Sequence, residues 1–173
     1  MEATTLRDKK PEEDQKELPI ALRETIKLAE DTFRLISDED LFPKKSRWIM
    51  SHEISKIINR VHTTAMFANG IDIDRALEAE RPFLYLIRTL SLAVVLAWMH
   101  ALDAKMSLSL DVLNTNGNKY EVWGRQYLKT RHYIQDWRRA DIKRYTDKYG
   151  KLGTPGTRGI AALLSKLIEG IIG

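Results

Sequence analysis

Apolar positions recur at three- and four-residue intervals in four long stretches, the spacing of helices that bury one face. The first stretch, residues 19–36, opens on Pro19, which a first helical turn tolerates. It carries Ile20, Leu22, Ile26, Phe33, Leu35 and Ile36. The second, residues 44–69, follows Pro43 and stops at Asn69-Gly70. Its apolar face is Met50, Ile54, Ile57, Ile58, Val61, Ala65 and Ala68. The third, residues 74–105, takes Asp72 or Asp74 as N-cap. From Phe83 to Leu102 it is apolar nearly all round, broken only by Arg88, Thr89, Ser91 and His100. The fourth, residues 119–148, packs Trp123, Tyr127, Thr130, Ile134, Trp137 and Tyr145 and ends at Gly150. Between the third and fourth, Met106, Leu108, Leu110 and Val112 alternate with Ser107, Ser109 and Asp111. That period of two leaves open a short β-hairpin turning at Asn116-Gly117, or a plain loop.

Four long helices with short joins predict an all-α fold, an up-and-down antiparallel four-helix bundle over residues 19–149. Residues 1–18 read as a mixed-charge, disordered lead-in. Residues 150–159 (GKLGTPGTRG) read as a flexible linker. Residues 160–173 then read as an amphipathic C-terminal helix, with Ile160, Leu163, Leu164, Leu167, Ile168, Ile171 and Ile172 on one stripe. A small bundle covers only one side of each helix. The all-round apolar third helix therefore predicts a second copy of the chain against it, through Phe83, Leu86, Leu90, Val94 and Trp98. Twenty apolar residues also match a membrane span in length. Arg88 inside the stretch and the lack of a flanking Lys/Arg bias argue against that use.

Charge changes the picture more than composition does. The 173 residues carry a net charge of +4, but unevenly. Residues 1–40 hold seven Lys/Arg against twelve Asp/Glu, and residues 118–151 hold ten against four. On the fourth helix, Arg125, Lys129, Arg131, Arg138, Arg139, Lys143, Arg144 and Lys148 spread over a broad arc, with Tyr133 and Tyr149 nearby. Arginine binds phosphate bidentately and tyrosine stacks on unpaired bases, so this arc is a candidate nucleic-acid surface. Its bland alternative is a solvated helix face. Lys44, Lys45, Arg47, Lys56 and Arg60 form a second patch on the second helix.

Candidate catalytic chemistry is sparse. The chain has no cysteine, which removes thiolate catalysis, disulfides and every cysteine-ligated metal. His52, His62, His100 and His132 show no mutual i, i+3 or i, i+4 pairing and no surrounding carboxylate motif, so no metal site is expected. Ser51-His52-Glu53 is adjacency on a helix, where neighbours point apart. The glycines of 150–159 lack phosphate-loop spacing. Trp48, Trp98, Trp123 and Trp137 read as core or interface anchors, and Arg88 as a structural, ion-paired or carbonyl-bound arginine. Residues 1–17 lack the apolar core of a secretory signal, so a cytoplasmic location is expected.

The phrase Asp40-Leu41-Phe42-Pro43-Lys44-Lys45-Ser46-Arg47-Trp48 resembles the opening of the second helix in a four-helix-bundle family. That family holds the 23S rRNA intervening-sequence proteins and the accessory variability determinant (Avd) of diversity-generating retroelements. The third helix, with Arg88 in its middle, and the fourth, reaching Trp137, resemble their counterparts. Gln135-Asp136 replace the glycines that precede that tryptophan in the family. The resemblance covers about residues 20–148. It implies a non-catalytic, cofactor-free adaptor that assembles as a pentameric ring and binds a reverse transcriptase with its RNA or RNA/DNA. The alternatives are an oligomeric four-helix protein serving as a docking hub for proteins, and a protein acting at a membrane surface through its C-terminal helix. The C-terminal stripe is expected to dock into a groove on a partner or a neighbouring subunit, with a membrane-surface helix and a frayed, functionless tail as the other readings.

Overall fold

A computed structural model describes residues 18–113 and 117–149, apart from the side chains of Ser46 and Arg47. The described chain is all-α, with four helices: α1 (Ile20–Ser37), α2 (Lys44–Gly70), α3 (Arg81–Leu113) and α4 (Gly117–Tyr149). Residues 1–17 of the lead-in, the Asn116 side of the expected turn, the linker and the C-terminal stripe lie outside the described residues, while Leu18, the last residue of the expected lead-in, packs partly buried against the core.

Prolines set two of the helix starts. Pro19 and Pro43 are the N-caps of α1 and α2, with φ of −51° and −56° and extended ψ. The Pro19 carbonyl accepts from the N–H groups of Leu22 and Arg23 at 2.9 and 3.1 Å. At the other end of α1, the Asp38 N–H donates to the Leu35 carbonyl, and the Asp38 carboxylate accepts from the Asp40 N–H at 3.0 Å. The chain thereby turns within the six residues 38–43 and buries Leu41 and Phe42 on the way into α2.

Helix α1 packs on α2 and α4, and α3 packs on the same two. The pairings run in opposite order along neighbouring helices. Going up α1, Glu24 meets Lys129, Thr32 meets Trp123, and Asp38 meets Lys119. Going up α3, Arg88 meets Asp141, His100 meets Arg131, and Ser109 meets Tyr120. The core between them is continuous, from Leu22 and Leu28 through Ile54, Ile58 and Val61 to Val95, Met99, Trp123 and Ile134. Trp123, Tyr127, Thr130 and Ile134 of the expected α4 face are all buried, as are the six α2 residues from Ile54 to Ala68.

Four expectations need correction. The third helix starts at Arg81, not 74. Pro82 has no N–H and its ring clashes with a helical turn before it, so only a first-turn position suits it. Asp72 instead accepts from the Arg75 N–H at 3.1 Å in the connection. The 106–113 segment is neither hairpin nor loop but the end of α3. Leu102, Met106 and Ser109 fall at helical spacing and are buried, and the Ser109 hydroxyl donates to the Met106 carbonyl at 2.8 Å. The apolar stripe of α1 is displaced: Ile20 and Phe33 are exposed, and Thr25, Leu28 and Thr32 take the buried face. Finally, Trp48 anchors no core within the chain, being 84% exposed.

Candidate functional site

The basic residues of α4 do not form one face. Arg125, Lys129, Arg139 and Lys143 point to solvent, whereas Arg131 and Arg138 are half-buried on the flanks. Several are already engaged. Lys129 Nζ lies 2.8 Å from Glu24 Oε1 and ties α4 to α1. Burial is the largest influence on the Glu24 carboxyl and pushes its pKa up. Hydrogen bonds from Lys129 and Gln126 and the charges of Lys129 and Lys27 together outweigh it, so Glu24 sits below its ordinary value. Arg125 and Arg139 pair with Glu121 and Asp136 of their own helix at 3.9 and 3.4 Å. His132 is also within 3.1 Å of Asp136, a surface contact that the sequence reading of the histidines missed. Among the described residues, no three His, Asp or Glu side chains gather closely enough to hold a metal.

Near its C-terminal end α4 carries a buried charge cluster. Arg88 Nε is 2.8 Å from Asp141 Oδ2, and Arg144 is 3.6 Å from Oδ1. The Arg88 guanidinium lies over the Trp137 ring at 5.2 Å. The structural role expected for Arg88 therefore holds, and Asp141 is its partner. Burial pushes the Asp141 carboxyl above its ordinary pKa, opposed by Arg88 and Arg144. Beside this cluster opens a polar cleft of about 480 Å³, bounded by Asn69, Tyr85, Arg144 and the turn after Gly70. The Tyr85, Tyr145 and Tyr149 rings close its neighbourhood, 5.4–6.0 Å apart. Asp141 was hidden among eight basic neighbours in the sequence. Arg88 in an apolar run was the only signal that a buried acid exists.

The α2 patch divides in two. Lys56 pairs with Glu53 at 3.5 Å, and the Arg60 guanidinium lies 4.4 Å over the Trp98 ring, joining α2 to α3. Lys44 and Lys45 remain exposed at the start of the helix. Cations in a first turn oppose the helix macrodipole, and this turn holds no acidic residue. Helix stability therefore does not account for these lysines. Trp48, one turn on from both, projects into solvent, followed on the same face by the exposed His52. The side chain of Arg47 lies outside the described residues.

The two basic patches stand at opposite ends of the molecule. Lys44 and Lys45 follow Phe42, which packs against Tyr120 near the start of α4. Arg138–Lys148 lie beside the Arg88–Asp141 pair, roughly 30 Å further along that helix at 1.5 Å per residue.

The residues expected at a subunit contact run along the outer face of α3. Phe83, Leu90 and Val94 are exposed, and Leu86 and Trp98 are half-buried. By length and composition α3 is long and apolar enough to cross a membrane, and only 28% of its most apolar eighteen-residue stretch is buried by the rest of the chain. Comparison with protein-family models, curated proteins and solved structures returned no match.

Proposed function

We propose that the protein is a non-catalytic, nucleic-acid-binding adaptor built as an up-and-down four-helix bundle. The observation that carries the reading is the exposed Trp48 set one turn from Lys44 and Lys45. An indole in solvent offers a stacking platform for an unpaired base, and the lysines supply phosphate contacts on the same face. The outward Arg125, Arg139 and Lys143 of α4 add a second basic surface, so a strand tracking both ends would pass along the molecule. Resemblance to Avd adds the expected partners, a reverse transcriptase with its template RNA. It also adds the expected assembly, a pentamer-like ring joined through Phe83, Leu86, Leu90, Val94 and Trp98 of α3. A docking hub for proteins is the second reading, favoured by the uncovered apolar face of α3.

Fluorescence anisotropy with a single-stranded RNA at several salt concentrations tests the first reading. Trp48→Ala should weaken binding by about 1–3 kcal/mol, the worth of one base–aromatic stack. Lys44→Ala with Lys45→Ala should also lessen the slope of log K against log salt by about 1.4, as two phosphate contacts on a single strand predict. Unchanged affinity and slope in both variants would move the docking hub into first place.

A further inference from the structure

The outer face of α3 is the largest unexplained feature of the described chain. Phe83, Leu90, Val94 and Ala97 stand on it with no charge between them, Lys105 and Leu108 follow further along, and α2 extends it. Phe67, 59% exposed, lies two turns along the α2 face whose Arg60 covers Trp98. An apolar surface of this length normally has an occupant. The chain itself holds a candidate in residues 160–172, whose apolar side chains recur at i, i+3, i+4 and i+7.

We infer that residues 160–172 dock in cis on the outer face of the chain's own α3, lying as a fifth, parallel helix between Phe83 and Ala97. Three observations converge on this occupant. Helix α4 delivers the chain to the right place, because Tyr149, its last residue, packs on Tyr85 with ring centroids 6.0 Å apart. Tyr85 shares the first turns of α3 with Phe83, at the end of the helix where the exposed face begins, but on the side turned to α4, so the chain has to pass round α3 to reach that face. The ten residues 150–159 span at most about 33 Å, while packed helix axes are only 8–10 Å apart, so the return to α3 is within reach. Thirteen helical residues measure about 20 Å, and the face from Phe83 to Ala97 measures about 21 Å. The covalent tether also favours the chain's own face over another copy's, since it raises the local concentration of the segment to the mM range.

Seating the segment has a consequence for assembly. Leu90 and Val94 belong to the surface through which a second copy is expected to pack, so the tail and a neighbouring subunit compete for one face. The inference does not depend on nucleic-acid binding.

The absence of native cysteine makes the test direct. In the full chain, Leu90→Cys with Leu167→Cys, and independently Val94→Cys with Ile171→Cys, should form a disulfide within one chain on mild oxidation. The product would run faster on a non-reducing gel at monomer mass. Lys143→Cys with Leu167→Cys, on the outward side of α4, should not cross-link. A dimer-mass product would make a second copy the occupant, and no product from either pair overturns the docking. As a second measurement, Leu163→Glu with Leu167→Glu in the full chain should raise either the fluorescence of a hydrophobic dye or the light-scattering mass several-fold. No change in both overturns the inference. So does flotation of the cross-link-negative chain with phosphatidylcholine vesicles, which would assign the segment to a membrane surface.

Discussion

Two threonines decide which face of α1 is buried. Thr25 and Thr32 are fully buried, and each hydroxyl donates to the carbonyl one turn back, at 2.7 and 2.6 Å. That local bond removes the penalty of burying a hydroxyl. Thr32 then serves a second purpose: its oxygen accepts from Trp123 Nε1 at 2.9 Å, linking α1 to the largest core side chain. Thr32→Val keeps the shape and leaves the indole N–H unpaired. It should lower stability by about 1–3 kcal/mol in urea denaturation, with Thr32→Ser recovering most of the loss. The buried Arg88–Asp141 pair responds more strongly. Either Arg88→Ala or Asp141→Ala strands a buried charge and should destabilise by about 3–5 kcal/mol, while Arg88→Met with Asp141→Leu should cost less than either. Glu24 and Asp141 act oppositely with pH. Glu24, held below its ordinary value, contributes stability that is present above that value and lost as pH falls through its depressed pKa. Asp141, raised, binds its proton more tightly when folded, so its contribution declines as pH rises from the ordinary aspartate value through the raised one. Glu24→Gln should therefore lower the thermal midpoint at neutral pH, and the difference from the wild type should vanish at the acid end of a pH series.

At the scale of the element, α3 joins two kinds of surface on one helix. Its inner side, Leu92, Val95, Met99, Leu102 and Met106, is buried core, and its outer side is uncovered and apolar. The two sides predict different outcomes for the same chemical change. Leu90 and Val94 are 41% and 46% exposed, so a glutamate there reaches water. Leu90→Glu should leave the unfolding midpoint of the four helices nearly unchanged and weaken whatever packs on this face, read as lost Val94→Cys with Ile171→Cys cross-linking if the occupant is the 160–172 segment, or as a lower mass in light scattering if it is a second copy. Met99→Glu should unfold the chain, since its carboxylate would be buried without a partner. The same helix explains why its ends were misread. An alternation of period two over Met106–Val112 and a helical triplet at Leu102, Met106 and Ser109 coexist in one sequence. The triplet wins because Tyr120 of α4 packs there and its hydroxyl donates to Ser109 at 3.0 Å.

Across the whole molecule, charge is distributed by position along the helices rather than gathered on one face. Lys44, Lys45 and Trp48 stand at one end, and Arg138–Lys148 at the other. Pairing with Glu24, Glu121, Asp136 and Asp141 withdraws part of the α4 charge from solvent. Arg139→Ala with Lys143→Ala should therefore weaken RNA binding less than Lys44→Ala with Lys45→Ala does, in the same anisotropy titration. This reverses the ranking that charge counting along the sequence suggests.

Helix content, the order of the four elements and most of the core were legible in the chain, because three- and four-residue periodicity and the placement of Pro19, Pro43 and Gly70 are local properties that a helix reads directly. The buried faces of α2 and α4 and the need of Arg88 for a partner followed from the same kind of reading. Tertiary structure alone decided which acid that partner is, since Asp141 is 53 positions away and only the antiparallel pairing of α3 with α4 brings the two together. Packing also decided that Trp48 faces solvent while Trp123 is buried. Both sit on amphipathic helices, and a side chain is buried only where a neighbouring helix covers its face.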